Sequence, residues 1–220
     1  LDTPNNNIMN QSFFHEAARL NNEGVTALVE GDAETSISLL SRTVKMTKQY
    51  IASPEQAAAL ASCSKESSSC FRSFSTVEVT CAACDDPMFF RRAIMMPSDV
   101  DDDVSSPLDV YVYCAAVIFN LALVYHIQGP ENTNARNKAQ QLYAAIMKLL
   151  DDRVGYMQSA LLLKLACINN MAHIRFENGE FDQIQAGLGQ LSTLLKTTDE
   201  GLFEGAEVQA LLMSVLLFKK

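Results

Sequence analysis

Apolar residues recur every three to four positions through most of this chain, the spacing that places them on one face of a helix. Ile37, Leu40 and Val44 form one such face, Leu142, Ile146 and Leu149 a second, and Ile184, Leu188, Leu191 and Leu195 a third. Val110 to Ile127 differs in being apolar on all sides except at Asn120 and His126. That run is at the short limit for crossing a bilayer, but its flank is acidic and lacks clustered Lys or Arg, so a buried helix is the expected reading. The periodicity fails between about Ala61 and Pro107, where SCSKESSSCFRSFS is Ser-rich and DVDDDVSSP is acidic. Within that stretch FSTVEVT and MFFRRAIMM are rich in β-branched and aromatic residues, which predicts a short β-hairpin packing through Phe89, Phe90, Ile94 and Met95.

Three places align without gaps: Leu20-NNEGVTALVEGD, Ile118-FNLALVYHIQGP and Ile168-NNMAHIRFENGE. Each has an apolar residue, an Asn, a small residue and a Gly in one spacing: Asn22, Gly24 and Gly31; Asn120, Ala122 and Gly129; Asn170, Ala172 and Gly179. An amphipathic stretch follows every match, so these are helix pairs. The small residue lets the two helices approach, and the Gly is expected to end the first helix in a left-handed turn. Helices are predicted at 12–29 with 33–49, 108–128 with 134–151, 155–178 with 181–196, and a closing helix at 202–218.

This arrangement resembles the tetratricopeptide repeat, with a small residue in the first helix and Gly at the turn. Stretches such as FNLALVYHIQG are also similar to tetratricopeptide-like proteins of diatom-type algae, from which no role carries over. The resemblance implies an all-α fold, a solenoid of antiparallel helix pairs in one domain over 1–220, with 61–107 inserted between the first and second pairs. The spacing departs from the family: equivalent asparagines lie 98 and then 50 positions apart, against about 34 per repeat in an uninterrupted array.

Asn is a mediocre helix former, so a pair of them at mid-helix asks for a reason. The resemblance places Asn22, Asn120 and Asn170 in a row on the inner wall of a groove, beside Asn21, Asn169, His173 and Phe119. An Asn amide offers donors and an acceptor that match the C=O and N–H of one residue in an extended peptide. Such a row is expected to be partly open to solvent and free of obligatory partners within the chain. The alternative is that each Asn bonds a neighbouring helix end or interhelical loop and fixes the stacking of repeats. A clamp for acidic tails is disfavoured, because no Lys or Arg stands among the neighbouring inner positions.

Composition narrows the function classes. Forty-eight per cent hydrophobic residues support a sizeable core, and a formal net charge of −9 argues against nucleic acid and for a neutral to basic protein or peptide partner. LDTPNNNIMNQS at the start has neither the basic leader nor the apolar run of a secretory signal. A processed product and a fragment both stay open, and location is undetermined, with a soluble intracellular or organellar setting favoured. Cys81-Ala-Ala-Cys84 has the spacing of a zinc or redox pair, with Cys63 and Cys70 upstream, but free thiols are the leading expectation and no cofactor is expected. Cys114 and Cys167 lie on apolar helix faces and read as small core residues. His15, His126 and His173 are scattered in sequence, although the last two can both face the groove. With no phosphate loop, GxSxG or HExxH, the leading reading is a non-enzymatic interaction scaffold. A structural subunit of a larger complex and a cysteine-centred metal or redox protein are the alternatives.

Overall fold

The computed structural model describes residues 5–54, 58, 74–80, 89–97, 107–153, 158–197 and 205–217. They form seven helices and a two-stranded sheet: α1 (Asn5–Val29), α2 (Ala33–Ile51), β1 (Ser75–Glu78), β2 (Arg92–Met95), α3 (Pro107–Ile127), α4 (Thr133–Arg153), α5 (Gln158–Glu177), α6 (Phe181–Thr197) and α7 (Gly205–Leu217). The chain is predominantly helical, and every predicted helix is present. The Ser-rich run, Cys63, Cys70, Cys81 and Cys84, and the start of the predicted closing helix at Leu202 and Phe203 lie outside the described residues.

Local signals set the helix ends. Asp32 Oδ1 accepts from Thr35 N at 3.0 Å, and Asn132 Oδ1 accepts from Asn134 N at 3.1 Å and Ala135 N at 3.2 Å, which satisfies first-turn donors of α2 and α4. Gly31 and Gly179 adopt φ of 84° and 75°. In each the Gly N–H donates to the carbonyl three residues back and the next residue's N–H to the carbonyl five back, Asp32 to Ala27 at 2.8 Å and Glu180 to Arg175 at 2.9 Å, the paired bonds of a Schellman cap. The second turn departs from expectation: Gly129 has no positive φ. Pro130 follows it and has no N–H to supply the longer bond of that motif. Gly129 N–H keeps only the shorter bond, donating to His126 O at 2.8 Å.

Helices pack in sequential antiparallel pairs, α1 with α2, α3 with α4 and α5 with α6, while α2 also meets α3 and α4 meets α5. Gly24 explains the first close approach, because a Cβ there would stand 2.9 Å from Leu40 Cγ in α2. Ser36 Oγ donates to Gly24 O at 2.8 Å across the same contact. Ala122 and Ala172, at the equivalent positions, are fully buried. Helix α3 is the centre of the molecule: the 18 residues Val110–Ile127, mean hydropathy 1.9, are long and apolar enough to span a membrane, yet 94% of them are buried in the protein's own core. The terminal helix α7 buries Leu211 and Val215 and leaves Leu212 and Leu216 exposed.

Among the first helices α3 adjoins both α1 and α5, and β2 lies against α1 and α3. Strands β1 and β2 are antiparallel, with Thr76 opposite Ile94 and Val77 opposite Ala93. Phe89, Phe90, Ala93, Ile94 and Met96 are buried and Met95 is half-buried, so the predicted hairpin forms and packs through the expected residues. The far strand is tethered to α7 by Thr76 Oγ1 donating to Glu207 Oε1 at 2.9 Å.

Candidate functional site: an asparagine row holding an extended strap

The inner asparagines converge on one extended segment, residues 89–97, which we call the strap. Asn22 Nδ2 donates to Met96 O and its Oδ1 accepts from Met96 N, both at 2.8 Å. Asn120 repeats the pattern on Ile94, with Nδ2 to O and N to Oδ1 both at 2.8 Å. Asn170 does so on Phe90, at 3.0 Å from N to Oδ1 and 3.2 Å from Nδ2 to O. Each amide therefore satisfies both backbone groups of a single residue.

Strand geometry explains why these three residues are chosen. Phe90, Ile94 and Met96 are separated by even numbers of positions, so their N–H and C=O groups point to the same side. Six steps of about 3.3 Å cover roughly 20 Å, the width of three adjacent helices spaced about 8–10 Å apart. The strap crosses from α5 over α3 to α1, opposite to chain order. Its other edge pairs with β1.

Supporting bonds close the network. Asn21 Nδ2 donates to Ile94 O at 2.9 Å and to Asn22 Oδ1 at 3.2 Å, while Asn120 Nδ2 also reaches Asn21 Oδ1 at 2.8 Å. Asn169 Nδ2 lies 3.4 Å from Asn170 Oδ1. Phe119, expected to line the groove, is buried beneath the strap with its ring 6.3 Å from Phe90 and 5.7 Å from Tyr143.

The row is thus present, but its expected openness is not. Asn21, Asn120, Asn169 and Asn170 are buried and only Asn22 is partly accessible, and all have partners within the chain. The reason is the cost of burying an amide: a buried Asn without partners is strongly unfavourable, so an apolar strap seals the groove only where its backbone meets the asparagines in register.

The α5 end of the strap covers a second polar group that sequence reasoning did not assemble. His126 Nε2 lies 3.0 Å from His173 Nδ1, and His126 Nδ1 lies 3.4 Å from Tyr143 OH. Tyr143 OH accepts from Asn170 Nδ2 at 3.1 Å, so the histidine pair is wired to the asparagine row. Glu177 Oε2 stands 3.9 Å from His173 Nδ1 and 3.4 Å from Arg136 Nε. Phe89 lies over both imidazoles, with ring centroids 4.1 Å from His126 and 5.3 Å from His173. Burial, then the neighbouring His173 and Arg136, hold the His126 pKa well below the ordinary histidine value. Burial pushes the Tyr143 hydroxyl well above its usual range, against the opposing hydrogen bond from Asn170. The readable signal for this cluster was the four-residue spacing of His173 and Glu177, which puts both on one helix face.

The buried thiols are poor nucleophiles. Burial raises Cys114 and Cys167, the former in spite of a 3.5 Å contact from Thr47 Oγ1. Both are free and sit in the core, where sequence reasoning put them. His15 borders a surface depression of about 710 Å³ at the α1 end of the row, lined also by Asn22, Glu23, Glu30 and Asp32.

Comparison with known proteins finds no matching family model, no matching curated protein and no matching solved structure.

Proposed function

We propose that the chain is a non-enzymatic protein-interaction scaffold, built as a tetratricopeptide-like solenoid whose inner asparagines bind extended polypeptide backbone. The observation that carries this reading is the paired N–H and C=O contact of Asn22, Asn120 and Asn170 with one strap residue each. These contacts are indifferent to side-chain identity, as a backbone-binding groove requires. In this chain the occupant is the strap itself, so a partner's extended segment gains the row by taking the strap's place. The border near Asn22 carries Glu23, Glu30 and Asp32 against Arg19, which pairs with Glu23, and this acidic balance favours a neutral or basic segment.

A second reading, a structural subunit with the strap held permanently, is favoured by a different observation. Leu212 and Leu216, one turn apart on α7, are 42% and 59% exposed and offer an apolar edge to a neighbour.

A labelled peptide of sequence FFRRAIMMP, matching the strap, separates the two. A Phe90→Ala/Ile94→Ala variant, with its strap loosened, is expected to bind the peptide by fluorescence anisotropy, and addition of Asn120→Ala is expected to abolish that binding. If the loosened chain stays folded and ignores the peptide, the exchangeable groove is wrong and the permanent strap stands.

A further inference from the structure

We infer that His126, His173 and Glu177 form a binding site for one divalent transition-metal ion of the zinc or cobalt type. His126 Nε2 comes from the end of α3, and His173 Nδ1 and Glu177 Oε2 come from the last two turns of α5. The three donor atoms all lie within 4.8 Å of one another. Two of the separations are 3.0 and 3.9 Å, and donors bonded to a common ion at about 2.0–2.2 Å sit at such distances from each other. Two imidazoles and a carboxylate suit zinc and its neighbours, whereas magnesium and calcium prefer oxygen alone.

The surroundings favour a ligand role over a purely structural one. Glu177 Oε2 is buried and accepts no hydrogen bond. Tyr143, itself fixed by Asn170, faces His126 Nδ1 and so orients the ring with Nε2 toward the other donors, the outer-shell support metal-binding histidines commonly have. Phe89 closes the strap side, while the Glu177 side chain retains 21% of its exposure and gives an ion a route from solvent. With three protein donors, a further position is left for water.

Arg136 is the opposing group. Its Nε pairs with Glu177 Oε2 at 3.4 Å, and an entering cation must displace that contact. The guanidinium keeps other partners when it does, because Nη2 donates to Gly129 O at 3.1 Å and Nη1 to Asn178 Oδ1 at 3.2 Å. Its charge nevertheless weakens the site.

Titration of the metal-free full chain with Zn²⁺ by calorimetry, and with Co²⁺ by visible absorption, tests the assignment. One ion per chain is expected, with a Co²⁺ spectrum of nitrogen and oxygen ligation. Glu177→Gln, an isosteric change at the rim, is expected to weaken binding at least tenfold, and Arg136→Gln to tighten it. Absence of binding would overturn the proposal. So would a Co²⁺ spectrum dominated by thiolate charge transfer, which points to the cysteines of the insertion and needs no variant to read, or affinity unchanged in Glu177→Gln.

Discussion

The two ends of the strap are built on opposite principles. Over α1 and α3, every polar group that Asn22 and Asn120 present is met by backbone of Ile94 or Met96 at 2.8 Å. Over α5 the Asn170–Phe90 pair continues that pattern, but next to it the apolar ring of Phe89 covers two histidines, and beside them a glutamate oxygen is buried without a hydrogen bond, 3.4 Å from Arg136 Nε. A saturated amide network fixes one geometry and has no capacity left. An unsaturated one keeps a capacity for protons or a cation, at a cost in stability.

Asn120→Ala is expected to give the largest effect. It strands the Ile94 N–H and Asn21 Oδ1 in the core, a loss of about 3 kcal/mol or more by denaturant titration. Asn22→Ala, at the partly accessible end where water can replace the amide, is expected to cost about 1 kcal/mol. Equal losses at the two sites would break the distinction between sealed and open portions of the row. Ala172→Leu, at a fully buried inner position, is expected to cost about 1–3 kcal/mol through overpacking, read as a lower melting temperature.

The histidine end should respond to pH where the asparagine end does not. Because the folded-state pKa of His126 is depressed below its unfolded value, near 6.5, the unfolded state binds the extra proton first. Its stability contribution is complete above that pH and is lost as pH falls below it, with a slope approaching about 1.4 kcal/mol per pH unit. Denaturation midpoints followed downward from pH 7.5 are expected to drop, and His126→Gln is expected to flatten this segment of the profile. The turns give a local effect: Gly179→Ala, forced to a φ of 75° with open space around it, should cost about 1–2 kcal/mol.

Helix boundaries were legible because they depend on neighbours in sequence. The pair 33–49 and the helix at 33–51 agree at one end through Asp32, whose capping role is local. The strap was legible as an apolar hairpin, and the asparagines as an inward row, yet their union was not. Asn170 and Phe90 are 80 positions apart, and no local pattern registers one against the other. The same holds for His126 and His173, 47 residues apart, which the packing of α3 on α5 brings to 3.0 Å. The turn at Gly129 was misjudged for a local reason, the proline that follows it.

The central claim is that asparagine side chains, rather than a neighbouring strand, hold the strap's inner edge. Native-state hydrogen exchange resolved at the amides of Phe90, Ile94 and Met96 tests it most directly. All three are expected to be protected in the wild-type chain, with protection falling first at Ile94 in Asn120→Ala and first at Phe90 in Asn170→Ala. Rapid exchange at all three amides in the folded wild-type protein would contradict the account.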